Sequence, residues 1–380
     1  MRFLHTADLH LGRQFGGLPL ETDHQAVLDQ IVAALQQHRV DALIIAGDVF
    51  DRAAPPASAV RQFGRFLARV ANDTAAAVVL IAGNHDSGDR IGMMAALLDP
   101  RRALIRGPLV ADEVPLVLRD SHGEVAISAL PFAYEYAACE CFGDHTIATP
   151  EDVLRAQVTA ARRRIPPGAR WVIVAHAFVA GGEGSNAERP LARVGGIETV
   201  SLDTFAGAHY VALGHLHRPQ ATGSDHIRYA GAPLALGFDE VGQVKSMTLV
   251  DLDAVGAADV CLIPFAPARG VRVLRGTLAE LLHAAPAADF VRAVLTDPAP
   301  LIDPMKRLRE VFPNACELAY ARDQRAPEIK SVPLIPARLG DPVEMIDDFL
   351  DQMRGERLSA EERAQVKAAL EVLCRTETLA

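Results

Sequence analysis

Apolar residues fall along the chain in short, continuous runs that are rich in β-branched side chains. The runs "DALIIAG", "AAVVLIAG" and "WVIVAH" do not alternate between apolar and polar positions, which is typical of strands covered on both faces. The full pattern predicts strands at residues 2–7, 41–46, 77–82, 125–130, 171–176, 210–214, 226–230 and 246–251.

Helical patterns separate the early strands. The apolar stripe of residues 23–40 comprises Val27, Ile31, Ala34 and Leu35, and that of residues 58–71 comprises Val60, Phe63, Phe66, Leu67 and Val70. Because strand–helix–strand alternation produces right-handed crossovers, the pattern predicts a layered α/β domain. Short loops join the later strands, so we expect the sheet to become mixed or to gain a second layer.

Changes in residue composition and in the spacing of apolar runs along the chain predict three regions. The first domain spans residues 1–265, and proline and glycine mark its end. Residues 271–332 alternate short strands and helices and predict a small α+β domain. A linker follows, and then residues 341–376 predict two acidic amphipathic helices, which either pack on the body of the protein or dock on another protein.

The two terminal helices have recognisable start signals. Asp341 supplies an N-cap acceptor, and Pro342 stands at the first helical position. Ser359 and Glu362 have the spacing of a capping box, which predicts the start of the second helix.

Composition narrows the classes of protein. The 380 residues are 50% hydrophobic and contain no apolar run of about 18 residues, so we expect neither a membrane helix nor a membrane partner. The N-terminus has no apolar signal segment, and five scattered cysteines fit reduced thiols, which together predict a cytoplasmic protein. The net charge of −10 is unusual for a nucleic-acid binder, but residues 341–380 carry half of it.

Side chains with metal-binding atoms follow five of the predicted strands. They are Asp8, His10, Asp48, Asn84, His85, His176, His215 and His217. Because the carboxyl ends of strands in an α/β sheet face one crevice, we expect these side chains to converge. Residues i and i+2 of an extended backbone project to the same side. The D-x-H pair (Asp8 and His10) and the H-x-H pair (His215 and His217) are therefore each predicted to hold a metal ion from two sides.

The donor types indicate the metal. Carboxylate, carboxamide and imidazole donors without thiolate suit Mn²⁺ or Fe²⁺, with Zn²⁺ as an alternative. Seven ligands exceed the need of one ion, but they serve two ions if one carboxylate bridges, and Asp48 is the natural bridge. Two ions about 3.5–4 Å apart can bind both non-bridging oxygens of a phosphate and supply the nucleophile for in-line attack.

His85 is predicted to act beside the metals rather than on them. It follows Asn84 directly, so its ring should diverge from the metal-facing amide and could protonate a leaving oxygen. Asp51 lies three residues after Asp48 and could orient His85, as the carboxylate of a catalytic triad does. The alternative for Asp51 is a helix-capping carboxylate.

In their order, the motifs "DLH", "GDVFDR", "GNHD", "AHAFV" and "GHLH" resemble the calcineurin-like metallophosphoesterases. The segments "MRFLHTADLHLGR", "ALPFAYEY" and "YVALGHLHRPQ" are similar to the SbcD-type branch, which supplies the nuclease subunit of bacterial SbcCD complexes. The resemblance implies a layered β-sandwich flanked by helices, with a small capping domain and C-terminal helices.

The resemblance also implies a ligand assignment. One metal would be held by Asp8, His10, Asp48 and His217, and the other by Asp48, Asn84, His176 and His215. His85 would be the catalytic histidine. Archaeal members of the branch tend to carry a second histidine where this chain has Asp51, which leaves the role of Asp51 open.

The activity implied by the resemblance is Mn²⁺-dependent hydrolysis of DNA. The branch acts as a 3′–5′ exonuclease on duplex ends and as an endonuclease on hairpins, in repair, recombination and replication. The implied partners are an SbcC-type SMC-like ATPase and a second copy of the chain, in a heterotetramer. The methionines and leucines of residues 89–99 either contribute to the dimer contact or pack in the core. This chain has no P-loop and is not expected to hydrolyse ATP itself. The alternatives are a phosphatase or small-molecule phosphodiesterase of the superfamily, and a non-enzymatic scaffold.

Overall fold

The computed structural model describes residues 1–185, 188, 192–193, 196–197, 199–323, 343–344, 346–347, 350 and 357–377. The chain divides into two units, Met1–Arg322 and Asp323–Ala380. The predicted helix start at Asp341, the linker before it and the end of the predicted α+β domain at residue 332 lie outside the described residues.

The strands are β1 (Arg2–Thr6), β2 (Gln14–Phe15), β3 (Leu18–Pro19), β4 (Ala42–Ala46), β5 (Ala77–Ile81), β6 (Ala103–Arg106), β7 (Leu116–Asp120), β8 (Gly123–Leu130), β9 (Arg170–His176), β10 (Ala192–Arg193), β11 (Gly196–Ile197), β12 (Tyr210–Gly214), β13 (Gln220–Thr222), β14 (Ser224–Tyr229), β15 (Ser246–Leu252), β16 (Ala258–Pro264), β17 (Val271–Gly276), β18 (Phe290–Leu295) and β19 (Ala315–Tyr320). The α-helices are α1 (Glu21–His38), α2 (Ala57–Asp73), α3 (Gly88–Met93), α4 (Glu135–Phe142), α5 (Pro150–Arg162), α6 (Leu278–Leu282), α7 (Pro304–Val311) and α8 (Ala360–Glu377). Short 3₁₀ helices lie at Met94–Leu97, Leu202–Phe205 and Phe238–Glu240.

Two six-stranded sheets form the centre of the first unit. Their strand orders are β16-β15-β1-β4-β5-β6 and β13-β14-β12-β9-β8-β7. The four strands β1, β4, β5 and β6 run parallel, as do β8, β9, β12 and β14. The strands that complete each sheet pair antiparallel, so both sheets are mixed.

The continuous apolar runs are explained by burial on both faces of each strand. In β4, Ile44 points into a core shared by the two sheets, whereas Leu43 and Ile45 pack with the side chains of α1 and α2 on the outer face. The second sheet is covered on its outside by α5, through Leu154 and Val158. The chain is therefore an α/β protein whose two sheets pack face to face between helices, as predicted.

A smaller third sheet, β17-β18-β19, is parallel and packs on α6 and α7. It joins the larger sheets through Phe290, which stacks on Phe15 with ring centroids 4.8 Å apart. Arg269 pairs with Asp23 and lies over the Phe290 ring, 4.3 Å from its centroid.

All eight predicted strands are present, with bounds that differ by at most two residues. The stripe assigned to α2 contains one error, because Val60 is 40% exposed whereas Phe63, Phe66 and Val70 are buried. In the second unit, the predicted capping box precedes α8. The amide of Ser359 donates to Glu362 over 2.8 Å, and the amide of Glu362 donates to the Ser359 hydroxyl over 3.3 Å. Among the described residues, none of the helices combines the length and the apolar character that crossing a bilayer requires.

Candidate metal centre

The candidate ligands lie where the carboxyl ends of the two large sheets meet. The ring Nδ1 of His176, at the end of β9, is 2.9 Å from the carbonyl oxygen of Ala46, at the end of β4. The amide of His215, after β12, donates to both carboxylate oxygens of Asp8, after β1, over 3.0 and 3.1 Å. The expected crevice therefore forms between two sheets rather than along the rim of one.

Four of the candidate ligands have a left-handed backbone. The φ angles are 52° at Asp8, 45° at His10, 49° at Asp48 and 105° at His215. The expectation that D-x-H and H-x-H would be extended pairs was therefore wrong. Their side chains converge because the backbone turns after each strand, and hydrogen bonds to the neighbouring loop hold the turns, from Asp8 to Gly47 and from His10 to Asp48, both 3.0 Å long. Such conformations cost free energy for non-glycine residues and are typical of functional sites.

Asp48 lies at the centre of the cluster. Its Oδ2 atom is 3.5 Å from Nε2 of His176 and 3.8 Å from Nε2 of His10. The Oδ1 atom of Asn84 is 2.9 Å from Nε2 of His176 and 3.1 Å from Nδ1 of His215. Asp8, His10 and His217 form one group of potential ligands whose donor atoms lie within 4.8 Å of one another, and Asp8, Asp48 and His176 form another.

The donors fit divalent cations. The ring nitrogens of His10 are both buried and have no hydrogen-bond partner among the described residues, which leaves them free to bind a metal. Asp8 and Asp48 are 0% and 2% exposed, and the described ion pairs of Asp48 involve only histidines. Two buried carboxylates without a lysine or arginine partner need another source of positive charge.

The electrostatics of the metal-free residues reflect this need. Burial raises the pKa of Asp8 to about 7, against the opposing effect of His176. Burial alone would lower the pKa of His176, but the Asp48 carboxylate outweighs it and raises that pKa to about 9. The pKa of Asp48 falls below its usual range, because the charge of His176 and its hydrogen bond outweigh the effect of burial. In the absence of metal, bound protons therefore supply the positive charge that the carboxylates need, which a metal cation would supply when bound.

His85 diverges from Asn84, as the sequence predicted. Its amide donates to Oδ1 of Asp48 over 2.8 Å, and its ring packs edge-on against His10 with centroids 4.8 Å apart. Its Nδ1 atom is 2.9 Å from the carbonyl oxygen of Asp51. Because a carbonyl can only accept, Nδ1 carries the proton, and the lone pair of the neutral ring lies on Nε2.

Asp51 contacts His85 through its main-chain carbonyl, whereas the sequence predicted a contact through its carboxylate. The carboxylate instead pairs with Arg13 at 3.2 Å and lies 3.7 Å from Nδ1 of His10. The main-chain carbonyl reaches His85 because Asp86, the next residue, accepts hydrogen bonds from the loop after β4 and holds that loop close. A catalytic role for Asp51 stays a prediction, as do the roles of His85 and the seven candidate ligands.

Two groups of supporting residues escaped the sequence analysis. Asp86 accepts hydrogen bonds from the amides of Val49, Phe50 and Gly83 over 2.9–3.1 Å, and so ties the loop after β5 to the loop after β4. Its position in "GNHD" was the available signal. Behind His217 lies the buried pair of Glu240 and Lys245, which the sequence separates from the histidine by more than twenty residues.

Residues 1–219, more than half of the chain, match the family model for calcineurin-like phosphoesterases. The chain belongs to the calcineurin-like phosphoesterase family. Residues 267–354 match a second family model, SbcD_C, which is described as the type 5 capsule protein repressor C-terminal domain. The two matches together confirm the predicted resemblance to SbcD-type subunits of the metallophosphoesterase superfamily.

Several solved structures resemble this phosphoesterase. GAP50, the anchor in the inner membrane complex of Plasmodium, shares 10% identity over 86% of this chain and 98% of its own, with a TM-score of 0.37. The calcineurin-like phosphoesterase YfkN from Bacillus subtilis shares 11% identity over 70% and 90% of the two chains, with a TM-score of 0.34. Yfce, a phosphoesterase from E. coli, shares 14% identity over 70% and 100%, with a TM-score of 0.29. At these scores the similarities carry no functional inference.

Proposed function

We propose that this phosphoesterase is the nuclease subunit of an SbcCD-like complex, which hydrolyses phosphodiester bonds at DNA ends and hairpins. The observation that supports the proposal is the combination of a buried cluster of metal-binding side chains with an SbcD_C match over residues 267–354. A minimal phosphatase does not need this second region. Action on duplex ends, on hairpins and in repair, recombination and replication comes from the resemblance.

The proposed cofactor is a pair of divalent ions, with Mn²⁺ favoured by the oxygen and imidazole donors. The ligands would be those predicted from the sequence, namely Asp8, His10, Asp48, Asn84, His176, His215 and His217. When bound, the ions would supply the positive charge that stabilises a phosphate undergoing in-line attack. The chain itself provides the buried carboxylates that hold these charges and the tight backbone turns that fix the carboxylates.

His85 is the proposed general acid. Its proton on Nδ1 is held by the carbonyl of Asp51, so Nε2 is the atom that can exchange a proton with substrate. The packing against His10 and the amide hydrogen bond to Asp48 keep the ring beside the cluster. Protonated at Nε2, His85 would donate that proton to the sugar oxygen that leaves the phosphate.

The test is His85→Ala. We expect this variant to retain two Mn²⁺ ions by calorimetric titration, because its side chain is not a proposed ligand, and to lose about 10²–10⁴-fold in turnover, the usual contribution of a general acid. His283→Ala changes an exposed histidine outside the site and serves as the control, with unchanged turnover. Loss of a metal ion from the His85 variant would make His85 a ligand and contradict the proposed role.

The rival activity is hydrolysis of phosphomonoesters, and a substrate comparison decides between them. Cleavage of linear duplex DNA, of hairpins and of a phosphomonoester such as p-nitrophenyl phosphate is measured with Mn²⁺, both with and without an ATPase partner. In at least one of these conditions the protein should cleave DNA in preference to the monoester. Preference for the monoester under all conditions would refute the nuclease.

The DNA-contacting surface is proposed to include exposed arginines next to the cluster. Arg101 and Arg106 are engaged by Asp99 and Glu113, whereas Arg52 and Arg90 are exposed and have no side-chain partner among the described residues. Exposed guanidinium groups in the segments that follow Asp48 and Asn84 in the sequence are suited to the phosphates of a bound strand.

The proposed protein partners are an SbcC-type ATPase and a second copy of the chain. Residues 89–99 support a homodimer contact, since Met93 and Leu98 are 70% and 42% exposed. For the ATPase, deletion of residues 341–380 should abolish binding in a pull-down assay and leave Mn²⁺-dependent cleavage of small phosphodiesters intact. Unchanged binding of the truncated chain would refute docking through the terminal helices.

A further inference from the structure

Every polar atom of His217 except Nε2 is engaged by a buried partner. Its amide donates to Oε1 of Glu188 over 2.7 Å, and its carbonyl accepts from Nζ of Lys245 over 2.9 Å. Its ring Nδ1 is 3.3 Å from Oε1 of Glu240. Among the described hydrogen bonds, Nε2 takes part in none. Such complete engagement exceeds what packing a loop residue requires.

Glu240 and Lys245 form a closed ring of contacts with His217. Oε2 of Glu240 lies 2.6 Å from Nζ of Lys245, which also holds the His217 carbonyl. Glu240 is 1% exposed and Lys245 is 7% exposed, so both charges are removed from water. The amide of Leu236 and the hydroxyl of Ser185 complete the partners of Glu240, both at 3.1 Å. A buried ion pair of this kind is costly to keep unless its geometry serves a purpose.

We propose that Glu240 is a positioning residue, which accepts the Nδ1 proton of His217 and thereby directs the lone pair of Nε2 toward Asp8 and His10. A carboxylate can only accept at this distance, so Nδ1 must carry the proton. The neutral ring then has its lone pair on Nε2, the one atom left free to bind a cation. Carboxylates that support ligand histidines in this way raise metal affinity by about 10–100-fold.

Lys245 gives the arrangement a specific requirement for two acceptor oxygens. One oxygen of Glu240 serves the ammonium group and the other serves the ring. In Glu240→Gln the single amide oxygen would be held by the cation and by the amide of Leu236, and the NH₂ group would face Nδ1. An NH₂ group can only donate, so the ring would have to accept at Nδ1 and move its proton to Nε2.

The proposal rests on the proposed metal site but is tested first without metal. The full-length protein, labelled with [¹⁵N]histidine and stripped of metal with EDTA, is examined by long-range ¹H–¹⁵N correlation NMR, with His217 assigned from His217→Gln. We expect an unprotonated Nε2 in the wild type and a protonated Nε2 in Glu240→Gln. The spectra are recorded at a pH at which the His217 ring is neutral, and there a proton on Nε2 in the wild type, or none on Nε2 in Glu240→Gln, overturns the proposal.

Mn²⁺ titration provides the second measurement. Glu240→Gln should weaken one of two sites by about tenfold or more and leave the other within about twofold. The matched control is Glu113→Gln. Glu113 is also a buried carboxylate in an ion pair, here with Arg106, but it contacts no proposed ligand among the described residues, so this variant should change neither affinity. If the wild type binds no Mn²⁺ at all, the proposed function fails. The NMR spectra of the metal-free protein still test whether Nδ1 of His217 carries the proton. If Glu240→Gln does not fold, the wild-type spectrum still decides the proposal.

Discussion

At the scale of single residues, the centre depends on glycines that let the loops approach one another. Gly47 has a φ of +90°, and a Cβ atom there would lie 2.3 Å from Nδ1 of His176. Gly17, between β2 and β3, has a similar φ of +84° but no atom within 4 Å of that position. The two positions therefore separate the cost of the backbone conformation from the cost of the contact.

We predict that Gly17→Ala lowers the free energy of unfolding by about 1 kcal/mol, the cost of a left-handed alanine. Gly47→Ala should lower it by about 3–4 kcal/mol, since a clash with His176 adds to that cost. Only Gly47→Ala should weaken Mn²⁺ binding, because His176 must move. Urea unfolding of the metal-free variants and Mn²⁺ titration measure these effects, and equal losses of stability in the two variants would contradict the argument.

The identity of the candidate ligands was readable from the sequence, but the way the backbone presents them was not. Asp8, Asp48 and His176 each follow an apolar run directly, and the end of a strand fixes their location to within a residue or two. The left-handed turns and the main-chain contact from Asp51 to His85 depend on carbonyl and amide groups, which every residue carries. Side-chain types therefore give no signal for them.

At the scale of elements, α2 shows which residues of a predicted apolar stripe pack in the core. Phe63 is 1% exposed and packs against Phe50 and Phe66, with centroids 5.7 and 6.0 Å away, whereas Val60 faces solvent. Phe63→Ala should lower the free energy of unfolding by about 3–5 kcal/mol, since it empties space in a close-packed core. Val60→Ala should change it by no more than about 0.5 kcal/mol. Thermal and urea unfolding measure both, and a large loss in the Val60 variant would return this residue to the core.

Four strands that the hydrophobic pattern did not predict lie at the edges of the two large sheets. β6, β7, β13 and β16 are the outer strands of the two large sheets, and every position of β16 is half-buried or exposed. Central strands are covered on both faces and read as continuous apolar runs, whereas an edge strand has fewer neighbours and needs fewer apolar residues. The prediction from hydrophobic pattern was therefore accurate for the strands that position the site and weakest at the periphery.

At the scale of the whole molecule, a buried cation ties together parts of the chain that are far apart in sequence. Arg170 begins β9 and donates to Oδ1 of Asp120, at the end of β7, over 2.6 Å. It also donates to the carbonyl of Asp253, just after β15 in the other large sheet, over 2.8 Å. One guanidinium group therefore links the two sheets at the edge where β9 begins, whereas the candidate metal centre lies at the carboxyl end of β9.

This link predicts how stability depends on pH. The hydrogen bond from Arg170 holds the pKa of Asp120 well below its usual range, so the folded state keeps the carboxylate charged under conditions in which the unfolded chain binds a proton. The stabilisation is therefore complete above the unfolded pKa of about 4 and is lost progressively as the pH falls below it. Asp120→Asn should lower the free energy of unfolding by about 2 kcal/mol at pH 7, the usual contribution of a charged hydrogen bond.

The difference between wild type and Asp120→Asn should shrink between pH 4 and pH 3 in urea unfolding, because the wild type alone loses stability from this group there. Asp225→Asn, at a side chain that is 96% exposed, is the control and should match the wild type at every pH. A difference that stays constant down to pH 3 would mean that Asp120 contributes through shape rather than charge. In that case the ion pairs of Asp120 with Arg170 and with the N-terminal ammonium group, which lies 2.9 Å from its Oδ2, would contribute little to holding the two sheets together at this end.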